Sequence, residues 1–170
     1  MMQTAPTAVD ILDFQFKLQC RLKVFDSKSI PVSHKQCNLV AVASRYGLLF
    51  VGSNDSLFQV IKLQQIQKYN SKEEVGDYCR RNIILNSIPQ HISVNCDCSK
   101  LCVVMKDDCV KAIIYDLASF LKENISIVQE VRLSSSSDVD VLELVWNPTV
   151  ASLYAVSKSD GSLGAHFSCI

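Results

Sequence analysis

Residues 39–55 read LVAVASRYGLLFVGSND, and two later stretches, ISVNCDCSKLCVVMKDD at 92–108 and LVWNPTVASLYAVSKSD at 144–160, lie under it without a gap. The starts at 39, 92 and 144 are spaced by 53 and then 52 residues, so the chain carries an internal repeat. Leu48, Leu101 and Leu153 coincide, as do Phe50, Val103 and Ala155, and Val51, Val104 and Val156. Each copy closes on a polar turn: Ser53-Asn54-Asp55-Ser56, Lys106-Asp107-Asp108-Cys109 or Lys158-Ser159-Asp160-Gly161. Beyond the turn another apolar segment begins, such as Leu57–Ile61 or Val110–Tyr115. One unit therefore reads strand, turn, strand, turn, strand.

Asp55, Asp108 and Asp160 recur for a mechanical reason. Asp and Asn side chains hydrogen-bond the backbone two residues on and tolerate the left-handed conformation of tight hairpins. Three carboxylates in three separate hairpins are turn residues on this reading, not a catalytic or metal-binding set.

Outward from the repeat, Phe14, Phe16, Leu18, Cys20, Leu22 and Val24 alternate with polar residues, which predicts an N-terminal strand over 14–25. Residues 26–34, with Pro31 among them, read as a loop, and 1–12 as a disordered terminus. Ser71-Lys72-Glu73-Glu74 has the form of a capping box ahead of an apolar stripe of Val75, Tyr78 and Cys79. A short helix is expected over about 72–81, then a strand at Ile83–Leu85. Asp116–Asn124 is expected to make a helical turn, Ile125–Leu133 a strand and Ser134–Ser137 a loop, and Gly164–Ile170 loses strand character.

A period near 50 residues with about four short strands per unit points to an all-β chain of WD40-like β-propeller blades with one short helical insert. Residues 13–170 form the propeller portion, with blade units at about 38–85, 90–133 and 140–167. Closed propellers have about four to eight blades. Three blades, the last lacking a fourth strand, predict an incomplete ring: a fragment, a short isoform or a half-ring that a partner completes. Its free edges predict marginal stability or self-association.

Composition narrows the function. Lys and Arg number 17, as do Asp and Glu, so no net basic field is available for a phosphate backbone. Lys17, Arg21 and Lys23 read as a solvated strand face, and Arg80 and Arg81 stand apart from them. Direct nucleic-acid binding is not expected. Residues 1–13 lack a secretory signal, and the most apolar stretch, Leu39–Val51, is too short to cross a bilayer. A reducing setting, with no membrane insertion, is therefore expected, and the eight cysteines read as free thiols.

Cys96, Cys98, Cys102 and Cys109 are the one cluster with metal-binding chemistry, yet a C-x-C-x3-C-x6-C spacing across strands and turns is not that of a zinc knuckle. His34, His91 and His166 lie far apart and are read as structural, and the five glycines form no phosphate loop. Trp146 aligns with Ala41 and Val94 and is expected in a blade core, with Pro148 ending its strand. No catalytic, cofactor-binding or metal-binding residue is assigned, so the chain is expected not to be an enzyme.

Several stretches carry a family likeness. Asp13-Phe14-Gln15-Phe16, Val24-Phe25-Asp26-Ser27, Leu39-Val40-Ala41-Val42 and Arg45-Tyr46-Gly47-Leu48 occur in that order, followed by Trp146-Asn147-Pro148-Thr149-Val150 and Asp160-Gly161-Ser162. Together they resemble the N-terminal propeller of the nucleoporin 214 family over about residues 13–163. The resemblance implies a seven-bladed propeller at the cytoplasmic face of the nuclear pore complex. It also implies protein docking in nucleocytoplasmic transport and mRNA export, with a DEAD-box RNA helicase and other nucleoporins as partners. The heptads and Phe-Gly repeats of that family are missing here. A general propeller scaffold and a cysteine-based metal-binding protein are the alternative readings.

Overall fold

A computed structural model of the chain describes residues 37–66, 80–136 and 138–168. The expected N-terminal strand and disordered terminus, and most of the expected helix over 72–81, lie outside those residues. The described strands form three antiparallel sheets, each a simple meander in which neighbours in sequence are neighbours in space. The first holds β1 (Val40–Ala43), β2 (Leu48–Ser53), β3 (Leu57–Lys62) and β4 (Arg80–Ile84). The second holds β5 (Ile88–Val94), β6 (Lys100–Lys106), β7 (Val110–Asp116) and β8 (Ile127–Ser134). The third holds β9 (Val141–Trp146), β10 (Leu153–Lys158) and β11 (Leu163–Phe167). A single helical turn, α1 (Leu63–Ile66), follows β3. The fold is thus nearly all β, as the repeat predicts.

The hairpins between the second and third strands of the sheets share one register. Leu48 pairs with Lys62, Leu101 with Tyr115 and Leu153 with Phe167, all at matching repeat positions. Ser56 (φ 52°) and Gly161 (φ 81°), at matching places in the first and third of these turns, both adopt the left-handed conformation. A three-residue hairpin loop closes this way.

The first hairpins do not share that regularity. Leu48 pairs back with Ala43, whereas Leu101 pairs with Val94. Leu48 and Phe50 lie in one apolar cluster together with Leu101, Val103 and Met105, so aligned residues face each other across the same seam. Cys102 and Val104 point the other way and join Trp146, Tyr154 and Val156 in the second cluster. Strand side chains alternate with a period of two, so an offset of one residue exchanges the two faces. The central copy is therefore offset by one from its neighbours, which the gapless alignment hides.

The clusters are the seams between sheets. Because the second sheet is covered on both sides, β6 is buried along its whole apolar run, Leu101–Met105. In the first seam Phe120 meets Phe50 at 5.2 Å and Tyr115 at 5.7 Å between ring centroids, both edge-on. Each such pair contributes about 0.5–1.5 kcal/mol beyond its burial. Phe120 arrives on a 3-10 turn, Leu117–Leu121, at the place expected for a helical turn, with the Asp116 side chain accepting from the Ala118 N–H.

Two expectations need correction. Arg80 and Arg81 are the first residues of β4, not the end of a helix, because they pair with Ile61 and Val60 along the β3 edge. Gly164 to Phe167 lie on β11, where the ladder to β10 overrides a weak local pattern. Among the described residues, no helix is long and apolar enough to cross a membrane.

Candidate docking surface

The inner strands of the sheets are tied together by side chains of β5 and the residue after it. His91, Ser93 and Asn95 alternate along the chain, so they share the face toward the third sheet. His91 Nε2 lies 2.9 Å from the Val141 carbonyl, which accepts from it. The Trp146 indole N–H donates to Ser93 Oγ at 3.1 Å. Asn95 Nδ2 donates to the Ala151 carbonyl at 2.9 Å, while its Oδ1 accepts from the Lys100 N–H at 2.9 Å. Lys100 Nζ reaches Ser168 Oγ at 2.8 Å, and Lys106 pairs with Asp140. On the other side, the Ile92 N–H donates to the Asn38 carbonyl at 2.7 Å and the Gly52 N–H to the Leu39 carbonyl at 2.8 Å.

The residues singled out in the sequence are distributed through this scaffold and do not converge. Trp146 is buried in the seam between second and third sheets. His91 is buried, and desolvation holds its imidazole below the ordinary value despite opposing pulls from the Val141 carbonyl and Glu143. His166 stacks on Tyr154 at 5.3 Å. Cys102 is fully buried with its thiol pushed up to about 12 by desolvation, Cys109 is buried, and Cys96 is exposed. Cys98 packs on the first cluster while Cys102 sits in the second. Among the described residues, no three His, Cys, Asp or Glu side chains are grouped to hold a metal ion. Asp160 accepts from the Ser162 N–H at 2.9 Å and hydroxyl at 2.6 Å, which is turn chemistry. His34, Cys20, Cys79 and Cys169 lie outside the described residues.

A surface that the sequence did not assemble lies at one rim of the first seam. Among the described residues, Lys62, Arg80, Arg81 and Lys122 line a groove of about 500 Å3 together with Leu48, Val60 and Phe120, and Glu123 is the carboxylate there. The Arg81 guanidinium donates to the Lys122 carbonyl at 2.7 Å and also to that of Glu123, which locks the turn after Phe120 against β4. Leu121 stands exposed beside it. Among the described residues this gathers four basic side chains at one rim. Arg80-Arg81 is visible as a basic pair, but Lys62 and Lys122 join it only because β3 and the turn after β7 meet there.

No family model matches this chain. It is 33% identical over 98% of its length to nuclear pore complex protein Nup214 of Drosophila melanogaster, and covers 10% of that protein. It is 27% identical over 91% of its length to nuclear pore complex protein Nup214 of Homo sapiens, and covers 8% of it. In fold it resembles a chain of the mitotic checkpoint complex crystal structure (TM-score 0.59, 16% identity, 98% of this chain and 43% of that one). It also resembles Saccharomyces cerevisiae Sqt1 (TM-score 0.54, 12% identity, 79% of this chain and 32% of that one). At these identities the two structures speak to fold alone, that of a β-propeller with part of its ring. The similarity to nucleoporin 214 expected from the sequence holds, and this chain is related to it across nearly the whole of its own length and about a tenth of the relatives' length.

Proposed function

We propose that this chain is a nucleoporin-type protein-docking module that works by binding, not by catalysis, at the cytoplasmic face of the nuclear pore complex. The observation that carries the reading is the similarity to Nup214 over 98% of the chain. A scaffold of stacked sheets held by apolar and hydrogen-bonded seams supports it, because a rigid scaffold of this kind presents its rims and connecting turns for recognition. The partners are proteins: a DEAD-box RNA helicase engaged in mRNA export, and other nucleoporins. Neither nucleic acid nor membrane is bound directly. The basic groove of Lys62, Arg80, Arg81 and Lys122 is the surface assigned to a partner, through an acidic segment.

The test is retention of a purified DEAD-box helicase on the immobilised chain, together with imaging of the tagged chain in cells. Helicase retention that Lys62→Glu with Lys122→Glu abolishes, and a signal at the nuclear rim, are expected. A diffuse signal with no helicase retained would overturn the reading.

A further inference from the structure

Four serines of the chain stand three residues before a carboxylate: Ser71 before Glu74, Ser135 before Asp138, Ser137 before Asp140 and Ser157 before Asp160. Ser71 and Ser137 lie outside the described residues. Ser157 lies inside β10, paired with Glu143 on one side and Leu163 on the other. Ser135 directly follows β8, in the link to β9, and both it and Asp138 are exposed. The serines beside it are engaged. The Ser136 N–H donates to Ser134 Oγ at 3.1 Å, and the Asp138 N–H donates to Ser136 Oγ at 3.1 Å. Among the described residues the Ser135 hydroxyl makes no hydrogen bond. Asp140, by contrast, is paired with Lys106, and its N–H and carbonyl both bond to Ser159.

We propose that Ser135 is a phosphorylation site for a protein kinase selective for carboxylates on the C-terminal side of its acceptor. Such a kinase reads the charge pattern around the acceptor. It needs the hydroxyl and the carboxylate together in its cleft. Ser135 and Asp138 offer that pair, whereas Ser157 is held by its strand and Asp140 by its lysine. An exposed link of small polar residues gives up few hydrogen bonds when it is drawn out. The link joins two sheets that already face each other, so sheets stacked beyond the first or the third need not cover it. In the reaction Ser135 Oγ attacks the γ-phosphorus of ATP. The new O–P bond forms as the bond to the ADP oxygen breaks, and the hydroxyl proton passes to the aspartate base of the kinase. The product carries about 1.5–2 negative charges beside Asp138. Lys106, Val110 and Ser134 share one row at this end of the second sheet, while Leu101 and Tyr115 share a row at the other end, near the turn that leads to Lys122. The phosphate therefore adds an acidic rim remote from the basic groove, suited to an arginine-bearing partner segment. The proposal does not depend on the nuclear pore reading.

The test incubates the 170-residue chain with casein kinase 2, which has this selectivity, and magnesium ATP, and maps phosphate by tandem mass spectrometry. Label at Ser135 and none at Ser157 is expected. Asp138→Asn is expected to slow labelling of Ser135 about tenfold or more, the worth of one charged contact. A synthetic peptide of residues 129–143, with and without Asp138→Asn, repeats the comparison free of any folding effect. A chain left unlabelled at Ser135 overturns the proposal whatever the peptide shows, and a labelled peptide then assigns the cause to the fold. Label confined to Ser137 or Ser157 overturns it too, as does a rate at Ser135 that Asp138→Asn leaves unchanged.

Discussion

The indole N–H of Trp146 donates to the Ser93 hydroxyl at 3.1 Å, so the inner strand of the third sheet is pinned to that of the second by a side-chain bond within an apolar seam. The Trp146 ring lies 5.1 Å from that of Tyr154. Apolar contact supplies most of the attraction between sheets, but it has no direction. The bonds from His91, Ser93 and Asn95 set how far β9 slides along β5.

Ser93→Ala is expected to leave the Trp146 N–H buried without its partner and to lower stability by about 1–3 kcal/mol. Trp146→Phe is expected to cost a similar amount. The double variant should cost less than the sum of the two, since both remove one shared bond. Urea denaturation followed by circular dichroism measures all three, and strict additivity would show that the bond carries no coupling.

Gly52 is a spatial requirement. A Cβ there would sit 2.9 Å from Leu39 Cδ2, 3.1 Å from Ile92 Cδ1 and 3.3 Å from Pro89 Cγ, where the first sheet closes on β5. Leu39 can turn away, but Ile92 is fully buried and proline is rigid. Gly52→Ala is expected to cost about 1–3 kcal/mol through overpacking. Gly161→Ala has open space around it and a φ of 81°, so its cost of about 1–2 kcal/mol is backbone strain. Asn at the two positions separates the causes in a thermal melt: it should relieve the strain at 161 and worsen the crowding at 52.

Stability should fall with acidification before the carboxylates titrate. His91 and His166 are both held below the ordinary 6.5, chiefly by desolvation. A depressed folded value means that the unfolded chain takes up the proton first. The stability is therefore complete above 6.5 and declines as pH falls toward the folded values. His91→Gln should flatten the loss in the window between 6.5 and the 3.8 at which ordinary aspartates protonate. Denaturant midpoints across that range check it, and an unchanged slope would rule out His91 as a source.

The thiols should divide by depth. Cys96 is exposed and is expected to react with a thiol reagent in the folded chain, whereas Cys102 and Cys109 react only on unfolding. Burial raises the Cys102 thiol from 9.0 to about 12, so its contribution is present below 9 and lost as pH rises from there toward 12. Mass spectrometry of peptides after a short alkylation pulse reads the division directly.

Strand identity was legible because its signals are local. The apolar runs of Leu48–Val51 and Leu101–Met105 and the Asp-bearing turns are settled within a few residues. The same locality made Arg80 and Arg81 look like the tail of a helix, since an edge strand is recognised by its partner, here Ile61 and Val60 on β3. The basic groove was illegible because Lys62 and Lys122 become neighbours only when two sheets stack.

The amino-acid sequence by itself determined that there are three copies of one sheet-forming unit, and that their middle hairpins share a register. Spacing and turn chemistry act within a single copy and need nothing outside it. Only the tertiary structure decided which side of each copy faces its neighbour. A strand presents apolar side chains on both faces when both are buried, as in Leu101–Met105, so its pattern is unchanged by an offset of one residue. The packing of Phe50 on Phe120, and the bonds from His91, Ser93 and Asn95, select between the two.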